Sequence, residues 1–370
     1  MRWPNLIDKT QSGSGKRMMP VGKWKRVSGT AVAAFALWVL APGLSAADFD
    51  PAEHEGARQL VDTLVERGIE RDWLESALRS AEFQQGVLDA MEGAAERRLR
   101  WDEYREIFLQ PERIHRGVAF IEAHRDAFAR AEAEYGVPAE VIAAIIGVET
   151  SYGRFTGHHR VIDSLSTLAF HHPVRGGFFH GELTAFLEIT REQDVEPGSL
   201  QGSYAGAMGY PQFIPTSYRA YAVDFDGDGV RDLWTNPVDA IGSVGNYFAE
   251  HGWQPDLPIY HEAKGPEAPP KVIDFNRTAR PYVSVAELDE AGIRVEGLED
   301  DATVVPLALE VSEEAWRYRV GHENFYVITR YNHSHLYAMA VTELAEAIEA
   351  SRALDAHQLE PTGNGEGEEA

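Results

Sequence analysis

Apolar residues recur at helical spacing through Leu60, Leu64, Ile69, Leu74 and Leu78, with charged residues between them. That period predicts helix across residues 48–130. Gly136-Val137-Pro138 interrupts it, and Pro138 suits the first turn of a new helix. The next run, 141–148 (VIAAIIGV), is apolar on every side, which predicts a central, buried helix. Residues 161–170, 178–190 and 238–250 also fit helices, around a Gly- and Pro-rich stretch at 198–215. Residues 255–311 read differently. Pro258, Pro266, Pro269 and Pro270 are followed by the β-branched runs Tyr282-Val283-Ser284-Val285 and Thr303-Val304-Val305, so a small β-rich insertion is expected there. Residues 325–329 predict a last strand and 336–352 a final helix. The tail, 355–370, is acidic and Gly-rich and is expected to be disordered.

The first 47 residues change the picture of the rest. Lys16, Arg17, Lys23, Lys25 and Arg26 precede an uncharged stretch, 30–40, and Leu44-Ser45-Ala46-Ala47 follows Pro42 and Gly43. This charged, apolar, small-residue order is that of a secretory signal peptide cleaved after Ala46 or Ala47. The alternative is an uncleaved N-terminal anchor, for which the apolar stretch is short. Beyond residue 47 the chain carries 27 basic and 58 acidic residues, a net charge of −31. That sign argues against nucleic-acid binding and against docking on anionic lipid, and reads as a solvated acidic surface. With 44% hydrophobic residues, the 370-residue chain can bury a large core. The absence of Cys excludes a disulfide scaffold, a thiol nucleophile, a zinc ribbon and a lipid-modified cysteine.

Two groups carry candidate chemistry. Ile142, Ile145, Ile146 and Glu149 share one helical face, so Glu149 continues a buried apolar stripe that Gly153 can close. Desolvation penalises the charged form of a carboxyl group, and a Glu held partly protonated near neutral pH is what a general acid requires. The competing reading is a structural Glu paired with Arg154 or Arg175. The second group is Asp224-Phe225-Asp226-Gly227-Asp228-Gly229-Val230-Arg231-Asp232, which follows the first nine positions of an EF-hand loop. Asp224, Asp226 and Asp228 offer carboxylates, Val230 a backbone carbonyl, and Gly229 the sharp turn. Thr235 replaces the bidentate Glu of position 12, and Asp239 can close an enlarged loop; the alternative is an ordinary acidic turn. The histidine pairs His158-His159 and His171-His172 match no zinc spacing, so surface or substrate-contact roles are expected of them.

Three segments together resemble the lytic murein transglycosylase B family of bacterial cell-wall enzymes. They are Gly147-Val148-Glu149-Thr150-Ser151-Tyr152-Gly153, the long run 202–218 (GSYAGAMGYPQFIPTSY), and the loop from Asp224 to Asp239 continuing into Ala240-Ile241-Gly242-Ser243. The likeness runs from about Trp101 to the end of the final helix. It implies a mainly α (α+β) fold: a lysozyme-like helical core with an EF-hand-like calcium loop, an added helical domain and a small β-rich domain around a groove. The corresponding division is a leader at 1–47, a helical domain at 48–136, the catalytic core at 137–254, the β-rich insertion at 255–324, and a strand and helix at 325–354 closing the groove.

The resemblance makes Glu149 the single catalytic acid and base, cleaving the bond between N-acetylmuramic acid and N-acetylglucosamine to leave a 1,6-anhydro end. Ser203, Gln212, Phe213, Tyr104, Tyr247, Tyr331, Asn332 and Tyr337 match groove residues that bind sugars. Only Arg175 stands where relatives often carry two Arg, after Val174, and Phe178 replaces a Tyr. Calcium held by Asp224, Asp226, Asp228, Val230 and Asp239 is implied as a structural cofactor, and no organic cofactor is. The implied partners are peptidoglycan glycan strands and other cell-wall enzymes; a soluble periplasmic form without a lipid anchor is expected. Two other readings compete. One is a lysozyme-type hydrolase with Asp163 or Glu182 serving a water molecule. The other is a non-catalytic, calcium-dependent wall-binding protein.

Overall fold

The computed structural model of the chain describes residues 47–93 and 99–359. The expected leader, up to residue 46, and the tail from 360 onward lie outside the described residues. Six helices open the described chain: α1 (Glu55–Glu66), α2 (Arg71–Arg79), α3 (Gln85–Gly93), α4 (Trp101–Phe108), α5 (Pro111–Ala123) and α6 (Arg125–Tyr135). They present the predicted stripe inward, with Leu60, Leu64, Leu74 and Leu78 fully buried. Gly136, at φ 68°, ends α6 in the left-handed conformation, and Pro138 caps α7 (Ala139–Thr150). Residues 141–147 of α7 are all buried, as an all-round apolar helix demands. It packs against α5 and the last helix, α14 (His335–Leu359).

A short pair, β1 (His159–Arg160) and β2 (Gln201–Gly202), brackets α8 (Val161–His171) and α9 (Gly176–Glu192), which pack on each other. Next come α10 (Pro215–Tyr221) and α11 (Pro237–Glu250), both with Pro in the first turn, where its missing N–H costs nothing. The chain then forms a five-stranded antiparallel sheet in the order β4-β6-β7-β3-β5. Its strands are β3 (Tyr260–Lys264), β4 (Val283–Ser284), β5 (Arg294–Val295), β6 (Thr303–Ser312) and β7 (Ala315–Gly321), with α12 (Val285–Glu290) between β4 and β5. The sheet has its own apolar cluster, built on Leu288, Val304, Ala308, Tyr318 and Val320. Helices α13 (Glu323–Tyr331) and α14 (His335–Leu359) return the chain to the helical core. Buried Arg319 of β7 joins the two parts, pairing with Glu343 of α14 at 2.8 Å and with Glu262 of β3 at 2.9 Å.

The structure corrects three local expectations. Residues 325–329 are helical, within α13, not a strand. Their β-branched composition suggested a strand, but Phe325, Ile328 and Asn332 fall at helical steps and all are buried. Residues 355–359 continue α14 instead of opening a disordered tail. The run 282–285 is strand only at Val283–Ser284; Ser284 then caps α12, its Oγ accepting from Glu287 N while Glu287 reaches back to Ser284 N.

Candidate active site

Glu149 sits in the last turn of α7, below the buried Ile142, Ile145 and Ile146. The helix stops at once. Ser151, Tyr152 and Gly153 take positive φ in succession (50°, 62° and 80°), so the reversal comes two residues earlier than Gly153 alone would place it. Two non-glycine residues in this region are costly to hold, and such strain persists where surrounding contacts over-determine it. The contacts are on hand: Thr150 Oγ1 accepts from Gly153 N at 3.0 Å and lies 3.0 Å from Tyr210 O. A Cβ at Gly153 would meet the Tyr210 ring at 2.1 Å, so the turn leaves no room for a side chain there.

The carboxyl of Glu149 is half-buried, and its Oε1 accepts a 2.6 Å hydrogen bond from Tyr337 Oη. Neither Arg154 nor Arg175 pairs with it: Arg154 lies over Phe155, and Arg175 over Phe178 and Phe179. This overturns the structural ion-pair reading. Burial pushes the Glu149 carboxyl up to about 7, and the Tyr337 hydrogen bond, which favours the carboxylate, opposes part of that rise. A Tyr337→Phe variant removes the opposing donor. The alkaline limb of the pH–kcat/KM profile should then move up by about one pH unit, the worth of a hydrogen bond to a charged group. An unmoved limb would mean that Tyr337 does not govern the protonation of Glu149.

The remaining sequence-predicted residues gather in part around this group. The rings of Tyr331 and Tyr337 stack at 6.4 Å, and Tyr331 also meets Tyr247 at 4.8 Å and Phe213 at 5.9 Å. Tyr104 is buried close to Tyr337. Tyr331 Oη donates to Pro211 O at 2.6 Å, while Gln212 Nε2 donates to Thr156 O at 3.1 Å and Gly209 O at 2.9 Å. The Gly-rich stretch is thereby clamped between the turn after α7 and the end of α13. Its glycines are needed for close approach: a Cβ at Gly209, φ 68°, would lie 2.1 Å from Leu233 O. Gln212 itself has φ 51° and keeps its buried Oε1 without a hydrogen-bond partner among the described residues. Ser203 does not reach Glu149. Its Oγ accepts from Ala205 N at 3.2 Å and Ala207 N at 3.0 Å, shaping its own turn. Arg175 is associated with Tyr204 rather than with Glu149. Asn332 is buried at the C-terminal cap of α13.

Both carboxylates of the hydrolase reading are engaged with groups other than Glu149. Asp163 accepts from Glu82 N at 3.0 Å and pairs with Arg160 at 3.1 Å; Glu182 accepts from Thr216 N at 2.9 Å and Thr216 Oγ1 at 2.8 Å. Both hold the scaffold together. Sequence reasoning overlooked Thr150, although it adjoins Glu149, because its partners are backbone groups that no motif announces.

In the acidic loop, carboxylate oxygens of Asp224, Asp226 and Asp239 come within 4.8 Å of one another, a donor set of hard oxygens suited to calcium. Asp228 is not among the three, and its Oδ1 accepts from Val230 N at 2.8 Å. Thr235 bonds Asp232 instead of facing the cluster. Asp239, fully buried, accepts from Phe225 N at 2.7 Å and Asp232 N at 2.8 Å and so draws the loop onto α11. Among the described residues, neither histidine pair belongs to a metal-ligating cluster.

A helical core that ends one apolar helix in a lone carboxyl, with Tyr337 and Tyr331 beside it, defines a lysozyme-like enzyme of glycan cleavage. The known proteins agree. Residues 52–346 match the family described as the transglycosylase SLT domain. The chain is 40% identical over 316 residues to the membrane-bound lytic murein transglycosylase B of Escherichia coli (strain K12), covering 82% of this chain and 85% of that protein. It is similar to the crystal structure of soluble lytic transglycosylase SltB1 from Pseudomonas aeruginosa, with 47% identity and a TM-score of 0.76, covering 80% of this chain and 99% of that one. The structure of Escherichia coli lytic transglycosylase Slt35 in complex with calcium matches with 42% identity and a TM-score of 0.76, covering 82% of this chain and 96% of that one. The chain belongs to the lytic murein transglycosylases, the enzymes that cleave peptidoglycan. Its fold is that of this lysozyme-like group.

Proposed function

We propose that Glu149 carries both proton transfers of the lytic reaction. Protonated, it gives its proton to the glycosidic oxygen as the bond from C1 of N-acetylmuramic acid to that oxygen breaks. The resulting carboxylate takes the proton of the C6 hydroxyl as O6 bonds to C1. Atoms and charges balance with no water consumed, and the product is the 1,6-anhydro end. The observation that supports this reading is the isolation of Glu149: burial raises it to about 7, and Tyr337 is its hydrogen-bond partner. A value near neutral lets one group serve first as acid and then as base. Hydrolysis asks for a second carboxylate, and Asp163 and Glu182 are engaged elsewhere.

The other site residues take roles that their surroundings permit. Gln212 Oε1 accepts from an amide N–H of the sugar, and the Ser203 hydroxyl proton is available to an acetamido oxygen. Tyr104, Phe213, Tyr247, Tyr331 and Tyr337 shape the groove for pyranose rings, with Asn332 beside them. Arg175 meets the anionic part of the strand beyond the Ser203 turn. Asp224, Asp226 and Asp239 would hold a calcium ion, which neutralises the acidic loop and pins it to α11. The leader pattern of 1–47 supports export to the periplasm, where peptidoglycan lies. Among the described residues no helix is long and apolar enough to cross a membrane. Mass spectrometry of the fragments released from purified sacculi tests the reaction. Fragments lighter by one water than reducing ends are expected; reducing ends alone would sink the transglycosylase assignment.

A further inference from the structure

A cavity of about 350 Å³ opens between the loop ahead of β4 and the turn that joins α13 to α14. Arg277 and Thr278 line one wall, and His333, Ser334 and His335 the other. The second wall is bracketed in sequence by Asn332 and Tyr337, and Ser334 Oγ lies 3.4 Å from Tyr337 N. One wall of the cavity therefore leads directly, along the chain, into the helix whose Tyr337 bonds Glu149.

Its charge is opposite to that of the protein. Beyond residue 47 acidic residues outnumber basic ones 58 to 27, yet this lining holds Arg277 and no carboxylate, with Arg280 three residues along the same loop and Arg330 three residues before His333. Arg280 is paired with Glu323, and Arg330 lies over the Tyr326 ring. Arg277 is different. Its guanidinium rests over Tyr282 at 4.8 Å, and its ion pair with Asp274 is a long one, 3.7 Å from Nε, without a hydrogen bond. The fork is thus oriented by a ring and left with donors to spare. Burial pushes His333 below the ordinary imidazole value, so at neutral pH it is an uncharged donor or acceptor. A guanidinium, a hydroxyl and an imidazole around one small cavity form a receptor for a carboxylate, which Arg binds in bidentate fashion.

We propose that this cavity is a subsite for a carboxylate of the peptide stem on the substrate's muramic acid, with Arg277 as its specificity-determining residue. The proposal rests on the peptidoglycan-cleaving reading above. The sugar rings of the strand are uncharged and need no guanidinium; the stem carries free carboxylates. The lactyl group of a strand stripped of its stems supplies the same chemistry from a different source.

The test compares kcat/KM for the wild type and for Arg277→Ala and Arg277→Gln on three preparations of soluble glycan strands. One carries stems with free carboxylates, one carries stems whose carboxylates have been amidated, and one has been stripped of stems. The wild type should prefer free over amidated stems about tenfold, mainly through KM, the value of one charged hydrogen-bonded contact. Both variants should lose that preference, with a ratio near one. A preference retained by the variants overturns the assignment of Arg277, and a wild-type ratio near one overturns the subsite. A tenfold loss confined to stripped strands would assign the cavity to the lactyl carboxylate and overturn the stem. The anhydro ends formed by each protein are measured in parallel. Their absence with the wild type would refute the reaction itself, independently of the cavity.

Discussion

Glu149→Gln should lower kcat on peptidoglycan by about a thousandfold, within the 10²–10⁴ range that a positioned acid–base group contributes. Glutamine keeps the shape of the group and can still accept from Tyr337 Oη, so binding of the strand should persist while the chemistry stops. The same variant should be more stable than the wild type in alkali. Folded Glu149 has its value raised from 4.5 to about 7, so the folded state holds a proton that the unfolded chain has released. Stability from this group is intact below pH 4.5, falls as pH rises, and is lowest above 7. The loss amounts to roughly 3 kcal/mol at most, from about 1.4 kcal/mol for each pH unit of displacement. Denaturant melts at pH 5 and pH 8 should show the wild type losing stability across that interval and the variant losing less. Equal pH dependence in the two proteins, or residual activity within tenfold of the wild type, would remove Glu149 from its role.

Calcium should raise the melting temperature of the wild type by about 5 °C at a hundredfold excess over its Kd, equivalent to about 2.7 kcal/mol. Asp239→Asn should abolish most of that rise. It takes one charge from a cluster whose oxygens lie within 4.8 Å of each other. It also turns an amide NH₂ toward Phe225 N or Asp232 N, each of which now donates to Asp239. One buried donor then loses its acceptor, at a cost of about 1–3 kcal/mol even without metal. Calorimetry with and without calcium separates the two effects. An equal calcium-induced shift in wild type and variant would exclude this loop as the binding site.

Features carried by a single stretch of chain were legible in the sequence. An apolar surface on all sides of 141–148 leaves a helix nowhere to go but the core, and Glu149 follows from that register. The acidic loop and Asp239 were legible because their spacing is short. Asp228 lies outside that group of three, its Oδ1 accepting from Val230 N, a local bond that the spacing does not show. The partner of Glu149 could not be read from spacing, because Tyr337 lies 188 residues away and reaches it only through the packing of α14 on α7. Family likeness nominated that tyrosine for sugar binding, not for control of a proton. The α13 segment was misread because its β-branched residues outweighed a helical period that tertiary burial then enforced. Arg277 and the turn at 333–335 went unnoticed, as two polar stretches from different parts of the chain carry no joint pattern.

The hydrogen bond between Tyr337 and Glu149 joins the first half of the molecule to its far end. A nascent chain that lacks its C-terminal helix has the acid but not the phenol that opposes its rise, and a detached C-terminal fragment has the phenol without the acid. The working pH of the acid is thus set only when the two distant parts of the chain have met.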